Sequence, residues 1–367
     1  MKAPDKITIL LPDLFTSFLA VEPRLNAAYN TTRHESEEAI IDFCNYDHRV
    51  TTIVRNGDFA RFVAIAAPDA DQSRFRLYCD WCNWVFPYDD LFDNGKLKLD
   101  AVAAQAKMQA LFASMESTEQ GADPEQCHLI RFHHVIWSRM QASASPGVQR
   151  RFLKTLHRFC DAVLKQVSKV AADETPTLSE MLRIRRQSAG VAPLYPLFEY
   201  AHALDLPDDF FDTEWVQELE ELGMDCALLQ NDMLSYFKEE LFLIPADSNK
   251  AEGVPHNVVA ICRLRGLSAQ QAFDHVGSML DDRLARIESC IATRPQYVHR
   301  QLDHEAERYI EGVLNTIRAN LYWSFESRRY FGDQADVVRR TRRVEVLDNP
   351  AFMGQSTEQL ASVVLEQ

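Results

Sequence analysis

The feature that most constrains this chain is a long helical pattern that begins near Asp212 and carries evenly spaced polar residues. Residues four apart lie on one face of a helix. Asn231, Ser235 and Glu239 follow that spacing, so an amide oxygen, a hydroxyl and a carboxylate face one direction. Such oxygen donors suit a hard divalent cation such as Mg²⁺, and the nearby Lys238 suits a phosphate group. The alternative is an ordinary polar helix face.

A second acidic cluster ends another apolar, aromatic-rich helical run. Asp89 and Asp93 are again four residues apart. Asp90 lies about 100° away from their common face, so the spacing favours Asp89 and Asp93 over Asp90 as metal ligands. Two helices that present these groups to each other would form a mouth lined by oxygen ligands. The second cluster therefore favours a metal site over a chance polar face.

From about residue 34 onward nearly the whole chain follows a helical pattern, and alternating strand patterns are absent beyond short apolar fragments. The predicted helices span about 34–45, 57–67, 71–88, 99–115, 125–141, 147–171, 177–189, 191–204, 212–242, 252–264, 268–293 and 297–328. The polar connections near 118–124, 172–176 and 245–255 are short. The sequence therefore predicts one all-α domain of closely packed helices.

The two ends of the chain differ from this helical part. Residues 1–33 are predicted to form an irregular arm, and residues 331–367 a charged tail. The tail is either a solvated segment with a short terminal helix or a lid that orders when pyrophosphate binds. Pro12 interrupts the first apolar run at once, which is not typical of a secretory signal. No stretch approaches the roughly 20 apolar residues that span a bilayer.

Composition excludes several classes of function. The formal net charge of -15 argues against a nucleic-acid partner, since that would need a concentrated positive face. The 8 cysteines are scattered, and the close pair Cys79 and Cys82 lacks the second pair that a zinc site requires. We expect reduced, mostly buried thiols and hence a cytoplasmic protein.

Three motifs together resemble those of class I terpene synthases. Residues 89–93 (DDLFD) resemble the aspartate-rich motif of that family, and residues 231–239 (NDMLSYFKE) resemble its second metal motif, in the same order and at a similar separation. Arg329 and Tyr330 resemble its C-terminal Arg-Tyr pair. The resemblance spans roughly Leu10 to Tyr330 and is greatest to microbial, especially fungal, sesquiterpene cyclases.

The resemblance implies a single-domain class I terpenoid synthase-like bundle around a central apolar cavity, spanning residues 34–330. It also implies a reaction in which farnesyl diphosphate is ionised, pyrophosphate is released and the carbocation is cyclised to a sesquiterpene hydrocarbon or alcohol. Three Mg²⁺ ions are expected, with Mn²⁺ as an alternative. The implied metal ligands are Asp89, Asp93, Asn231, Ser235 and Glu239.

The resemblance also implies the residues that bind pyrophosphate. These are Arg185, Lys238, Arg329 and Tyr330. Arg185 precedes a stretch similar to the family's break between two helix halves. By that match Arg185 senses pyrophosphate, and Ser188 links Arg185 to Ala189. The Ala189 carbonyl then points at the substrate carbocation. Gly190 and Pro193 can interrupt a helix in this place.

Aromatic side chains are expected along the hydrocarbon pocket, because their ring faces stabilise cations without reacting. Phe86 and Trp323 are the best candidates, since each lies one or two turns before a motif residue. Plain core packing is the alternative for either of them. Asp232 leaves the face of the metal motif and is expected to be a structural carboxylate.

Several alternatives remain at this point. The absence of an Asp-x-Asp-Asp motif does not support protonation-initiated cyclisation, and the Asn/Ser/Glu form of the second motif favours cyclisation over chain elongation. The enzyme could make a linear product or take a diphosphate of another chain length. A non-catalytic isoprenoid-binding protein and a helical scaffold with solvated acidic faces are the other readings. Families of this kind often form homodimers, about which the sequence is silent.

Overall fold

A computed structural model of the protein describes residues 5–93, 95–116, 127–172, 174–242, 256–297 and 299–350. Helices dominate these ranges, which confirms the predicted all-α class. The helices α1 to α15 span Tyr29–Cys44, His48–Gly57, Phe59–Ala66, Gln72–Asp93, Ala101–Glu116, His128–Gln141, Pro146–Ala171, Leu178–Ser188, Leu194–Ala201, Asp208–Phe211, Glu214–Phe242, Val258–Leu264, Ala269–Ala292, Arg300–Glu326 and Ala335–Thr341. No helix in the described ranges combines the length and apolar character needed to cross a membrane.

Helix α2 is absent from the sequence prediction. Its stretch from Val50 to Val54 is rich in β-branched residues, which lower helix propensity. The structure shows what compensates: the Asp47 carboxylate caps the helix by accepting a hydrogen bond from the Val50 N–H at 2.8 Å. Asp58, in the left-handed region with φ of 44°, then separates α2 from α3.

Helix α4 continues past the predicted end at residue 88 and runs to Asp93. Pro87 lies inside it and removes one intrahelical hydrogen bond. The helix continues because its apolar face is deeply buried on both sides of that proline, with Trp84 and Phe92 almost inaccessible to solvent. As a result, Asp89 and Asp93 both lie on the last turns of a regular helix.

The chain ends contain a small sheet that the sequence does not predict. Strand β1 (Lys6–Leu10) pairs antiparallel with β2 (Arg343–Leu347), so that Ile7 lies opposite Val346. Arg263 of α12 donates a hydrogen bond to the Leu347 carbonyl at 2.9 Å and so holds β2 on the helical body. The end of the predicted tail, residues 351–367, and the predicted connections near 118–124 and 245–255 lie outside the described residues. The division at residues 33 and 330 stays a prediction.

The core is formed by α11, which packs against α13 and α14, and by α4, which packs against α1 and α3. Between α8 and α9 the chain leaves the helical conformation, as the sequence predicts. Ser188 ends α8, Gly190 has a φ of +73°, and α9 begins at Leu194. All eight cysteines are free thiols, and only Cys127 is more than slightly accessible.

Candidate active site

A cavity of about 180 Å³ lies between α4, α7, α8, α11 and α14. Both predicted metal motifs line it, although they are far apart in the chain. The predicted metal ligands along its wall are Asp89, Asp93, Asn231, Ser235 and Glu239. The predicted pyrophosphate-binding residues along the same wall are Arg185, Lys238, Arg329 and Tyr330. The two helices therefore present their oxygen-bearing faces to one space.

Helix α4 contributes three carboxylates to the cavity. Gln166 of α7 donates a hydrogen bond to Asp93 Oδ1 at 2.7 Å. Asp90 lines the same cavity as Asp89 and Asp93. Its Oδ1 lies 3.1 Å from Arg329 Nη2, so this carboxylate forms an ion pair with the guanidinium group. Burial, followed by the charges of Asp93 and Asp90, raises the pKa of Asp89 well above its usual range.

Helix α11 contributes the second motif. The Asn231 side chain accepts a hydrogen bond from Arg185 Nη2 at 3.1 Å and donates one to the Tyr330 hydroxyl at 2.8 Å. The Ser235 hydroxyl donates to the Asn231 carbonyl at 2.8 Å. Burial, with a contribution from Asp232, raises the pKa of Glu239 to about 7. Asn231 thus links the metal motif directly to two predicted pyrophosphate-binding residues.

Arg185 is held by a fully buried carboxylate. Its Nη2 and Nε lie 2.6 and 3.1 Å from Asp232 Oδ1. The other Asp232 oxygen accepts a hydrogen bond from the Val258 N–H at 2.6 Å. Although burial opposes the charged form, Asp232 and Glu239 keep the pKa of Arg185 above its usual value. This geometry agrees with the prediction that Asp232 is a structural carboxylate.

Aromatic rings support the basic pair at the end of α14. The Arg329 guanidinium lies 5.1 Å from the ring centre of Phe86. Phe86 in turn stacks on Phe59 at 4.0 Å, and Trp323 meets the Tyr330 ring edge-on at 5.8 Å. Phe86 and Trp323 both line the cavity, as predicted for residues that face a hydrocarbon.

The helix break is only partly assembled in the predicted way. Ala189 and Gly190 line the cavity, and the Ala189 N–H still bonds to the Arg185 carbonyl at 2.9 Å. Ser188 is buried beside the cavity without lining it, and its hydroxyl has no hydrogen-bond partner within the described residues. The break therefore joins Arg185 to Ala189 through the backbone, and the Ser188 hydroxyl adds no hydrogen bond to the part of the chain that the structure describes.

The donor set fits divalent magnesium. The side chains are carboxylate, amide and hydroxyl oxygens, which hard cations prefer. Asp89, Asp90 and Asp93 place like charges together on the partly buried cavity wall, and a cation would offset their repulsion. Within the residues the structure describes, no three His, Cys, Asp or Glu side chains are grouped to hold an ion alone. Coordination would therefore draw on Asn231 and Ser235, with water or phosphate oxygens.

Three further residues of this site do not follow from the sequence motifs. Asn257 donates a hydrogen bond to Glu239, and its position before an apolar run is a cap signal that could have identified it. Gln166 carries no such signal, because it lies in the middle of α7. His256 lines the cavity, and its Nε2 has no partner among the described residues.

Comparisons with known proteins show which family and fold the chain is similar to. Residues 80–286 match the family model described as terpene synthase family 2, C-terminal metal binding. Silphinene synthase peniA from Penicillium patulum is 35% identical over 347 residues, covering 93% of this chain and 90% of the relative. The (+)-eremophilene synthase of Gibberella fujikuroi is 31% identical and covers 93% of each chain. The crystal structure of the SVS_A2 protein from ancestral sequence reconstruction has the same fold, with a TM-score of 0.72, 23% identity, and coverage of 87% of this chain and 90% of that one.

Proposed function

This chain belongs to the terpene synthase family, and on that premise we propose that it is a Mg²⁺-dependent sesquiterpene synthase. It ionises farnesyl diphosphate, releases pyrophosphate and cyclises the carbocation to a sesquiterpene hydrocarbon or alcohol. The family acts on isoprenoid diphosphates and binds metal. The silphinene and eremophilene synthases among its relatives support farnesyl diphosphate as the substrate, in preference to a diphosphate of another chain length. Three Mg²⁺ ions, with Mn²⁺ as an alternative, complete the proposal.

One observation carries the proposal: the two oxygen-bearing motifs, the buried Arg185 and the partly buried Arg329 line the same cavity as a wall of aromatic rings. A diphosphate needs the polar groups, and a hydrocarbon tail needs the apolar ones. The described residues bring both sets to one cavity. This combination favours an enzyme over a scaffold whose acidic faces are merely solvated.

The arginines bind and orient the diphosphate. Arg185 is positioned by Asp232, and Arg329 is positioned by Asp90. Both guanidinium groups stay charged, because nearby carboxylates outweigh the effect of burial on their pKa values. Lys238 and Tyr330 add donors on the same wall. When bound, magnesium would supply Lewis-acid stabilisation of the diphosphate oxygens, worth several kcal/mol.

The aromatic wall and the helix break face the hydrocarbon. The ring faces of Phe86 and Trp323 offer negative potential to a carbocation and carry no atom that would trap it. Ala189, at the break, lines the same cavity, and its carbonyl stays the predicted dipole for the cation. Ser188 stays a predicted link between Arg185 and Ala189.

The test is turnover by the purified protein. It is incubated with Mg²⁺ and with geranyl, farnesyl or geranylgeranyl diphosphate, and both released pyrophosphate and volatile products are measured. We expect farnesyl diphosphate to be consumed fastest, a cyclic product, and loss of activity with EDTA. If no diphosphate is consumed, the proposed function is wrong. Binding of an isoprenoid without metal and without turnover would identify a non-catalytic binding protein instead.

Two variants make the test specific to the site. Asp89→Asn combined with Glu239→Gln should abolish turnover, since both remove a proposed ligand charge. Asp161→Asn is the matched control, because Asp161 is an exposed residue of α7 outside the cavity. Cytoplasmic location and homodimerisation stay predictions from the cysteine pattern and the family resemblance.

A further inference from the structure

We propose that the side-chain oxygen of Asn320 determines product specificity, by presenting a fixed partial negative charge to the hydrocarbon part of the cavity. This inference rests on the proposed function. It assigns a role to an amide on the cavity wall, which Ala227 and Trp323 also line. None of the three motifs in the sequence includes this residue.

The Asn320 amide is held by two hydrogen bonds on its nitrogen. Asn320 belongs to α14, lines the cavity and is 8% exposed. Its Nδ2 lies 3.1 Å from the Ala227 carbonyl oxygen and 3.0 Å from Gln230 Oε1, both on α11. A side-chain amide has two N–H donors. Both are therefore used by contacts with the neighbouring helix.

These contacts decide which way the amide points. The opposite orientation would place the Asn320 oxygen against the Ala227 carbonyl oxygen, which can only accept. The side-chain hydrogen bonds of Asn320 with the described residues are both made by its nitrogen, and no described donor reaches its oxygen. The nitrogen is thus directed toward α11, and the oxygen is the polar atom that remains for the cavity. Gln230 is fully buried and does not line the cavity, so it contacts the Asn320 amide on the side away from the cavity.

A fixed dipole in an enclosed site stabilises charge more than the same dipole does in water, because it needs no reorientation. The negative end of the Asn320 amide therefore lowers the energy of a carbocation when the charged carbon lies beside it. Thr316, one turn earlier, differs because its hydroxyl donates to the Gly312 carbonyl at 2.9 Å. Carbocations with charge near Asn320 are favoured, and the products that form from them predominate.

The experiment compares product ratios in Asn320→Leu and Gln230→Met. Asn320→Leu keeps the approximate side-chain size and removes the oxygen. Gln230→Met leaves the cavity lining unchanged but removes the acceptor that helps to orient the amide. We expect the ratio of the main product to the others to change about tenfold in Asn320→Leu, and in the same direction but less in Gln230→Met. Gas chromatography of the products measures this ratio within each sample, so a partly unfolded variant still gives an answer.

The control is Ser324→Ala, which removes a buried hydroxyl one turn further along α14. That hydroxyl donates to the Asn320 backbone carbonyl and does not line the cavity, so the product ratio should stay at the wild-type value. An unchanged ratio in Asn320→Leu would overturn the inference. A change in Asn320→Leu without one in Gln230→Met would also overturn it, because cavity shape would then explain the effect. Pyrophosphate release by the wild type is measured first. If it occurs, either contrary result overturns the role of Asn320 alone; if it does not occur, the proposed function itself has failed.

Discussion

Asn257 Nδ2 lies 2.9 Å from Glu239 Oε2, and this hydrogen bond joins the start of α12 to the candidate metal ligand on α11. The same nitrogen lies 2.8 Å from the Asp232 carbonyl oxygen. The Asn257 side-chain oxygen caps α12 by accepting from the Val259 N–H at 2.8 Å. One amide therefore holds a helix start and orients a carboxylate. Residues that orient ligands tune metal affinity without touching the metal.

The first prediction concerns Asn257→Ser. Serine also caps helices well, but it lacks the donor that reaches Glu239. We expect the Mg²⁺ concentration for half-maximal pyrophosphate release to rise about tenfold, with a small loss of thermal stability. Ser145→Ala is the control, because it removes the cap of α7, where Ser145 accepts from the Val148 N–H. That variant should lose about 1 kcal/mol of stability and keep the wild-type Mg²⁺ requirement. An unchanged requirement in Asn257→Ser would contradict an orienting role.

The second prediction concerns the buried pair of Arg185 and Asp232. Among the described residues, Arg185→Met leaves the buried Asp232 carboxylate with the Val258 N–H as its one remaining donor. Breaking a buried ion pair by removing one partner costs about 3–5 kcal/mol, so urea unfolding should show a loss of that size. Adding Asp232→Asn removes the uncompensated charge, and the asparagine side-chain oxygen can still accept the hydrogen bond from the Val258 N–H. The double variant should recover most of the stability and remain inactive.

The control for this pair is an exposed one. Arg286 lies 2.6 Å from Glu218 with 55% and 39% of their side chains exposed. Arg286→Met should cost less than about 1 kcal/mol and leave pyrophosphate release unchanged. If the Arg185→Met and Asp232→Asn double variant releases pyrophosphate at the wild-type rate, Arg185 does not bind the diphosphate.

The third prediction concerns the helix break. Gly190 has a φ of +73°, and a Cβ there would meet Phe159 at an ordinary distance of 3.6 Å. Gly190→Ala should therefore lower the free energy of unfolding by about 1 kcal/mol, because alanine disfavours the left-handed backbone conformation. Gly266→Ala is a matched control, since Gly266 has a φ of +92° and open space around it, away from the cavity. Both should lose similar stability, and only Gly190→Ala should lower turnover by moving Ala189. Equal turnover in the two variants would exclude a role for the break.

The local parts of the site follow from helical spacing. Asp89 with Asp93, and Asn231 with Ser235 and Glu239, lie four residues apart, so a helix at either place sets their direction. The prediction requires only that the two helices face one another, which their shared cavity satisfies. The Gly190 break is likewise local, because one residue with positive φ ends a helix.

The contacts that cross between distant segments could not be predicted in this way. Strands β1 and β2 have five residues each, and such short strands are stable only when a partner is in place. The hydrogen bond from Gln166 to Asp93 depends on how α7 packs on α4, which no spacing reveals. Helix α2 forms against its β-branched composition, because a cap and tertiary packing override a weak propensity.

The last prediction concerns a buried histidine and acid stability. His133 is fully buried, its ring centre lies 4.2 Å from that of Trp84, and neither ring nitrogen has a partner among the described residues. Burial lowers the pKa of His133 to about 3, from a usual value of 6.5. Between these values the unfolded chain binds a proton and the folded chain does not. Stability should therefore fall as the pH drops from 6.5 toward 3, by up to about 1.4 kcal/mol per pH unit from this residue.

His133→Phe keeps an aromatic ring against Trp84 and removes the titrating group. Urea unfolding at several pH values between 7.5 and 4.5 should show a shallower loss of stability in this variant than in the wild type, whereas the curves above pH 7 should differ little in slope. His304→Gln is the control, because His304 is exposed on α14 and its loss should leave the slope unchanged. Equal slopes for His133→Phe and the wild type would mean that the folded protein accepts a proton on His133 as readily as the unfolded chain does.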